Sequence, residues 1–183
     1  MIAPNYFIIR PKNGIQYVQK KSSGIIESTG VEDVSNIQRL GEIVNVPYGY
    51  KGIAQEMDEC ILNHNIFRIH YNDKGVPVYS DSYFKDDLFY VDPELIYAVI
   101  KNDEIICLDH CVFVQPVYEE VFMEGKVDAR QIGILKHGNS ITKKLGLKNG
   151  TKVLFKIFGE HKYDLNNETV YRMATSHILA VLN

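Results

Sequence analysis

The apolar residues of this chain come in short runs rich in β-branched and aromatic side chains, and this pattern limits the folds open to it. The runs are strand-sized and most are bounded by Gly, Pro, Asn or Asp, which favour turns; examples are YFIIR, GEIVNVP, DLFYV, LIYAVI and QIGILKH. No window of a dozen residues carries an apolar stripe of helical period. The sequence therefore predicts an all-β protein with little helix, apart from one helical turn that begins at Asp92-Pro93.

The two halves of the chain resemble each other. Residues 88–100 align without a gap on residues 170–182, so that Ile96 falls on Ile178, Ala98 on Ala180, Val99 on Val181 and Ile100 on Leu182. Upstream, FIIRP at residues 7–11 matches VFVQP at residues 112–116, and a Gly-containing strand follows each of them. The shared order predicts two small units, residues 1–101 and 102–183, each near the lower size limit for a stable core.

Charge and composition exclude several classes of function. The chain has a net charge of −3 over 183 residues. Proteins that bind nucleic acids or acidic membranes usually carry a basic surface stripe, so we expect neither partner. No run approaches the roughly 18 apolar residues of a membrane span, and the first residues do not read as a signal peptide. Three cysteines are too few for a disulfide scaffold and indicate a reducing compartment. We expect a cytoplasmic protein, in a bacterium or a virus-infected cell.

A polar loop with two isoleucines follows the first strand. Its sequence, KSSGIIESTG, places Ile25 and Ile26 among Ser, Gly and Thr between two predicted strands. Two interpretations are open from these residues. Either the pair packs on the protein's own core, as apolar loop residues often do, or it is presented to a partner whose groove buries it.

The chain resembles the GroES family of co-chaperonins over nearly its whole length. In the second half, KNGTKVLF at residues 148–155 stands where that family has a Lys-x-Gly-Asp-x-Val-x-Phe turn and strand, with Thr151 in place of Asp, and ILAV at residues 178–181 matches the family's closing strand. The first half is similar in NYFIIRP, GEIVNVP and DLFYVDPELIYAVI, but has an enlarged middle hairpin region. The resemblance implies a GroES-like partly open β-barrel, present as two tandem units.

The same resemblance implies a function for the loop, which spans about residues 15–38. In GroES-like proteins the loop after the first strand carries a Gly-apolar-apolar motif that docks on a GroEL-type chaperonin. The matching positions here are Ser23, Gly24, Ile25, Ile26 and Glu27, although Glu27 stands where many members have a third apolar residue. The second half has no such motif in its loop, VYEEVFMEGKVDARQI.

The implied protein is a homo-oligomeric lid that caps an ATP-driven chaperonin and assists protein folding without chemistry of its own. It needs no cofactor, because the partner binds ATP or ADP. The alternative is a GroES-like barrel reused as an oligomeric structural or assembly module, such as a ring or virion-associated component, with no chaperonin partner. An enzyme is disfavoured, because dehydrogenases that contain this barrel also carry a dinucleotide-binding domain and the chain has no GxGxxG motif. Ring stoichiometry and layering stay open.

Metal and catalytic sites are also disfavoured by spacing. Cys107 and Cys111 would share one face of a strand while His110 faces the other way, and Cys60, His64 and His70 would spread too far along a straight strand to hold one ion. The acidic residues Asp81, Asp86 and Asp87 fit a solvated hairpin tip better than an acid-base pair. The sequence therefore predicts no metal site and no catalytic residues.

Overall fold

The computed structural model describes residues 4–17, 21–22, 25–26, 37–121, 125–156, 161–165 and 168–182. The backbone alone is described at residues 21–22, 25–26, 118–121, 125–130 and 161. The chain divides into two compact units, residues 1–103 and 104–183. The boundary predicted after residue 101 falls beside this division, and the assignment of each unit to the GroES-like fold stays a prediction.

The first unit is built from ten short strands within the described residues. They are β1 (Phe7–Pro11), β2 (Lys21–Ser22), β3 (Ile25–Ile26), β4 (Leu40–Asn45), β5 (Glu59–Leu62), β6 (Ile69–Tyr71), β7 (Pro77–Tyr79), β8 (Tyr83–Lys85), β9 (Leu88–Val91) and β10 (Ile96–Lys101). Its main sheet is antiparallel in the order β10-β5-β4-β1-β9-β8, and β2-β3 and β6-β7 form separate hairpins. Short 3₁₀ turns occupy Lys12–Gly14 and Pro93–Leu95. Asp92 accepts a hydrogen bond from Glu94 N at 3.1 Å, which confirms the predicted helical turn.

The second unit contains seven strands and one short α-helix among its described residues. They are β11 (Glu104–Cys107), β12 (Cys111–Val121), β13 (Gly125–His137), α1 (Ser140–Lys144), β14 (Lys152–Phe155), β15 (His161–Leu165), β16 (Glu168–Ala174) and β17 (Ile178–Val181). A 3₁₀ turn at Thr175–His177 precedes β17. The main sheet is antiparallel in the order β17-β14-β13-β12-β16-β15. This order repeats that of the first unit strand for strand.

The strand registers repeat as well as the strand order. Pro11 pairs with Gly41 across β1-β4, and Pro116 pairs with Gly133 across β12-β13. The register shifts between Ile8 and Ile9 in the first unit and at the matching point, Phe113/Val114, in the second. The final strands agree too, with β10 pairing Ala98 to Ile61 and β17 pairing Ala180 to Leu154. The residues aligned by sequence, such as Ala98 and Ala180, thus occupy equivalent places.

Each unit has a core drawn from the inward faces of its sheet. In the second unit the core consists of Val112, Val114, Leu135, Val153, Phe155 and Met173. In the first unit the equivalent sheet positions are also buried, at Phe7, Ile9, Ile43, Cys60, Leu62 and Val91. Along β4 burial alternates, with Gly41 and Ile43 buried, as the two-residue period of a strand with one covered face predicts. In β1, by contrast, Phe7, Ile8 and Ile9 are all buried.

A glycine is required at the same place in both units. A Cβ atom on Gly41 would lie 2.6 Å from Ile9 Cγ2 and 3.0 Å from Arg10 O, and one on Gly133 would lie 2.4 Å from Val114 Cγ1 and 2.8 Å from Gln115 O. Both contacts are far inside van der Waals distance, and one partner in each case is backbone that cannot rotate away. The first and second strands of each unit therefore approach closely only because these side chains are absent.

We expect Gly41→Ala and Gly133→Ala each to lower the free energy of unfolding by about 2 kcal/mol, because overpacking a filled core costs roughly 1–3 kcal/mol. Chemical denaturation of each variant measures this. Gly49→Ala is the control, since its Cβ would meet nothing within 4 Å and its cost of about 1 kcal/mol comes only from a φ of 76°. Alanine variants at positions 41 and 133 that are no less stable than the Gly49→Ala control would contradict the close approach of the strands.

The predicted all-β class is confirmed, whereas the finer barrel prediction is not. Within the described residues both large sheets are open arrays and neither closes on itself. The sequence interpretation also erred in two places. The run EIICLDHCVFVQPV is broken by a turn at residues 108–110, and the predicted loop VYEEVFMEGKVDARQI instead contributes the long arms of β12 and β13. No helix among the described residues has the length and apolar character needed to cross a bilayer.

Candidate functional site

The two ends of the predicted docking loop lie side by side in the first unit. Tyr17 and Ile37 form an isolated antiparallel bridge, and Gln38 N donates to Gln16 O at 2.8 Å. Ile37 is 3% exposed, so the returning end of the loop is fixed in the core. The loop base is therefore closed by residues 16–17 and 37–38, just inside the ends predicted from sequence.

A tyrosine fastens this base to the middle of the unit. The Tyr17 hydroxyl donates to Ile69 O at 2.8 Å and accepts from Ile69 N at 2.7 Å. Because one hydroxyl satisfies both backbone groups of Ile69, it fixes the position of β6 relative to the loop base. The Gln38 side chain completes the turn into β4, since its Oε1 accepts from Arg39 N and Leu40 N, both at 3.1 Å.

The predicted docking residues fall within or beside the β2-β3 hairpin. Lys21 pairs with Ile26 and Ser22 with Ile25, so the backbone of the isoleucine pair lies in a strand. Ser23, Gly24 and Glu27, and the side chains of both isoleucines, lie outside the described residues. Their role in docking stays a prediction. The structure adds that Ile25 and Ile26 belong to a local hairpin rather than to either strand of the main sheet that borders the loop.

All three cysteines are buried, and the surroundings of Cys60 and Cys107 suppress the reactivity of their thiols. Cys60 Sγ donates to Gly41 O at 3.3 Å, and Cys107 Sγ donates to His137 O at 3.2 Å. Burial raises the pKa of both thiols, that of Cys107 further through its contact with Cys111. A buried thiol with a raised pKa is a poor nucleophile and a poor metal ligand. Cys107 and Cys111 end and begin different strands, so the single strand assumed in the sequence analysis was wrong.

The histidines and acidic residues singled out by sequence do not converge. β5 ends at Leu62, so Cys60, His64 and His70 are not on one strand as the spacing argument assumed. Asp86 lies in the tight turn between β8 and β9 with a φ of 53°, in agreement with a hairpin tip. Among the described residues no three Cys, His, Asp or Glu side chains come together as a possible metal site.

His137, the last residue of β13, has a lowered pKa. Burial lowers the pKa of His137 below 6.5, and the nearby charge of Lys136 lowers it further. Lys136 Nζ in turn lies 2.6 Å from Glu168 Oε2 on β16. This histidine is charged more readily in the unfolded chain, so it contributes stability above pH 6.5 that is lost as the pH falls through its lowered folded pKa.

No protein-family model matches this sequence, and no curated protein matches it.

The sequence motifs did not indicate an open cavity of about 430 Å³ in the first unit. The segment that forms most of its wall, residues 65–82, lies in the enlarged middle that the sequence analysis marked as a departure from the family pattern. The difference in length between the two halves could have indicated the cavity. Residues 63–82 separate β5 from β8, whereas only residues 156–160 separate the equivalent strands β14 and β15.

Proposed function

We propose that this chain is an oligomeric co-chaperonin of the GroES type. It caps the apical rim of an ATP-driven, GroEL-type chaperonin in the cytoplasm of a bacterium or a virus-infected cell, and so closes a chamber in which other proteins fold. In this proposal the chain performs no chemistry, and the partner binds and hydrolyses ATP. The tandem all-antiparallel units with one strand order support the two-domain GroES-like assignment.

The observation that carries the proposal is the anchored loop. The Tyr17–Ile37 bridge closes the base of the segment 18–36, and within that segment Lys21–Ser22 pairs with Ile25–Ile26. Such a loop can reach a partner without disturbing the sheet, since its base is fastened by Ile37 in the core. The loop is otherwise polar, so Ile25 and Ile26 are its apolar docking motif in this proposal.

The small binding free energy expected for each loop is consistent with a lid that binds and is later released. Burying each isoleucine in a partner's groove contributes roughly 1.5–3 kcal/mol, from which the cost of ordering the loop is subtracted. A single loop therefore binds weakly. An oligomer presents several loops to a ring at high effective concentration, which turns weak contacts into stable capping.

An exposed apolar edge supports the oligomeric part of the proposal. β17 is the last strand of the second sheet, and its Leu179 and Val181 are 56% and 45% exposed. Their equivalents on β10, Tyr97 and Val99, are 2% and 0% exposed. An apolar edge strand left uncovered invites pairing with another chain. We assign β17 as the contact with a second copy.

Leu179→Lys/Val181→Lys should therefore convert the oligomer to a monomer, because two charged side chains would have to be buried in the contact. Native mass spectrometry and light scattering after size-exclusion chromatography measure the change. Val78→Lys is the matched control, since Val78 is also exposed, at 36%, but lies on the β6-β7 hairpin. A double variant that stays oligomeric would show that β17 is not the contact.

Size-exclusion chromatography with a GroEL-type double ring tests the proposed function. We expect the oligomer to co-elute with the chaperonin in ADP or ATP and to separate from it without nucleotide. A stable oligomer that never co-elutes with GroEL-type rings, including any encoded beside this chain, would favour the alternative of a structural or assembly module.

A further inference from the structure

The cavity in the first unit has features of a binding site. It is an open pocket of about 430 Å³, a volume in the range of small-molecule sites. Apolar atoms supply more of its lined surface than polar atoms, although eight of its ten lining residues have polar side chains. The principal ones are Asn63, Asn65, Arg68, His70, Tyr79 and Asp81. The second unit, which repeats the sheet, has no segment of similar length between β14 and β15. The cavity is therefore an addition to the repeated fold rather than part of it.

The wall of the cavity is held in place by its own hydrogen bonds. Asn63 Nδ2 donates to the Tyr97 hydroxyl at 2.8 Å, and Asn63 Oδ1 accepts from Asn65 N at 2.9 Å. Ser80 Oγ donates to Ile66 O at 2.5 Å, and the Tyr79 ring stacks on Tyr83 with centroids 4.2 Å apart. These contacts fix the Asn63, Tyr79 and Ser80 side chains before a ligand binds, so these three lose less entropy on binding.

Two opposite charges line this cavity without forming an ion pair with each other. Arg68 and Asp81 both line it, and both are exposed. Within the described part of the chain, neither side chain is in one of the ion pairs, which are Lys12–Glu59, Lys101–Asp58 and Lys136–Glu168. A guanidinium and a carboxylate on one wall can each pair with a group of the opposite sign on a single ligand. Ile66 and Leu95 supply an apolar surface between the polar groups.

We propose that this cavity binds a small zwitterion of the α-amino acid class. Arg68 pairs with the ligand's carboxylate, for which its planar guanidinium has matching geometry, and Asp81 pairs with the ammonium group. Asn63 and Asn65 provide further polar contacts, and the side chain lies against Ile66 and Leu95. A doubly charged phosphate fits less well, because it would be repelled by Asp81. The proposal is independent of the docking loop and of the proposed lid function.

Isothermal titration calorimetry of the intact protein with L-leucine tests this assignment. L-leucinamide lacks the carboxylate and N-acetyl-L-leucine lacks the ammonium, so we expect each to bind at least about tenfold more weakly, as does inorganic phosphate. Arg68→Gln and Asp81→Asn should weaken leucine binding by a similar factor. Arg10→Gln and Asp73→Asn, exposed charges that do not line the cavity, should leave it unchanged.

Three results would overturn the assignment. They are the absence of saturable leucine binding, binding of N-acetyl-leucine or phosphate as tight as that of leucine, and equal binding by the Arg68→Gln and Arg10→Gln variants. Circular dichroism of each variant checks that the sheets are intact. Chaperonin co-elution of the same variants distinguishes this site from the lid function, because charge variants of the cavity should still cap the ring.

Discussion

We expect Ile25→Ser/Ile26→Ser to abolish the proposed nucleotide-dependent co-elution with a GroEL-type ring while leaving the proposed oligomer intact. The double substitution removes roughly 1.5–3 kcal/mol of apolar burial for each isoleucine in every docked loop. In the proposed oligomer this loss would be repeated at each subunit, so a complex held by several weak contacts should dissociate. Size-exclusion chromatography with ADP or ATP, with both proteins quantified in each fraction, measures the effect.

Ile15→Ser is the matched control for this variant. Ile15 is 51% exposed and precedes the loop base, so its replacement should affect neither stability nor capping. The opposing hypothesis, in which Ile25 and Ile26 pack on the protein's own core, predicts a different result. In that case the double variant would lose several kcal/mol of stability, as large-to-small core substitutions do, and the docking interpretation would fail.

Asn139→Ala should lower the free energy of unfolding by about 3 kcal/mol, because this buried residue joins three segments of the second unit. Its Oδ1 caps helix α1 by accepting from Ile141 N and Thr142 N, both at 3.0 Å. Loss of such a cap costs about 1 kcal/mol, and each buried polar group left without a partner costs a further 1–3 kcal/mol.

The amide nitrogen of Asn139 accounts for the larger part of this effect. Nδ2 lies within hydrogen-bonding distance of Cys111 O at 2.8 Å and of the Thr175 hydroxyl at 2.7 Å, with Leu108 O and Asp109 O slightly further away. Asn139 itself is 1% exposed, so water does not replace these contacts without rearrangement. It thereby connects the turn before β12, the helix and the turn before β17.

Urea denaturation of Asn139→Ala beside Asn149→Ala measures the difference. Asn149 is exposed and accepts one hydrogen bond, from Gly138 N at 3.2 Å, so its replacement should cost less than about 1 kcal/mol. If the two variants lose equal stability, the connecting role assigned to Asn139 is wrong.

Local sequence patterns determined much of the fold. Strand-sized apolar runs bounded by turn residues gave the all-β class, and Asp92-Pro93 gave the 3₁₀ turn, because each depends on a few adjacent residues. The gapless alignment that placed Ala98 on Ala180 agrees with the strand registers. The two halves remain similar in sequence because both units need the same small and branched side chains at the same close-packed positions.

The errors lie where a pattern did not identify the partner of a segment. The run around Cys107 and Cys111 is apolar throughout, so periodicity did not reveal the turn at residues 108–110 that Asn139 holds from a distant part of the chain. The polar composition of residues 117–132 suggested a loop, yet the two arms satisfy each other's backbone groups as a long hairpin.

The sequence by itself determined the all-β class, the repetition of one unit and the position of an apolar pair in a polar loop. These features depend on residue type and spacing along the chain. The tertiary structure decided the strand order, the closure of the loop base by Tyr17 and Ile37, and the meeting of Arg68 and Asp81 at one cavity. Each of these joins residues that are far apart or on opposite sides of a turn, and no local pattern specifies such a pairing.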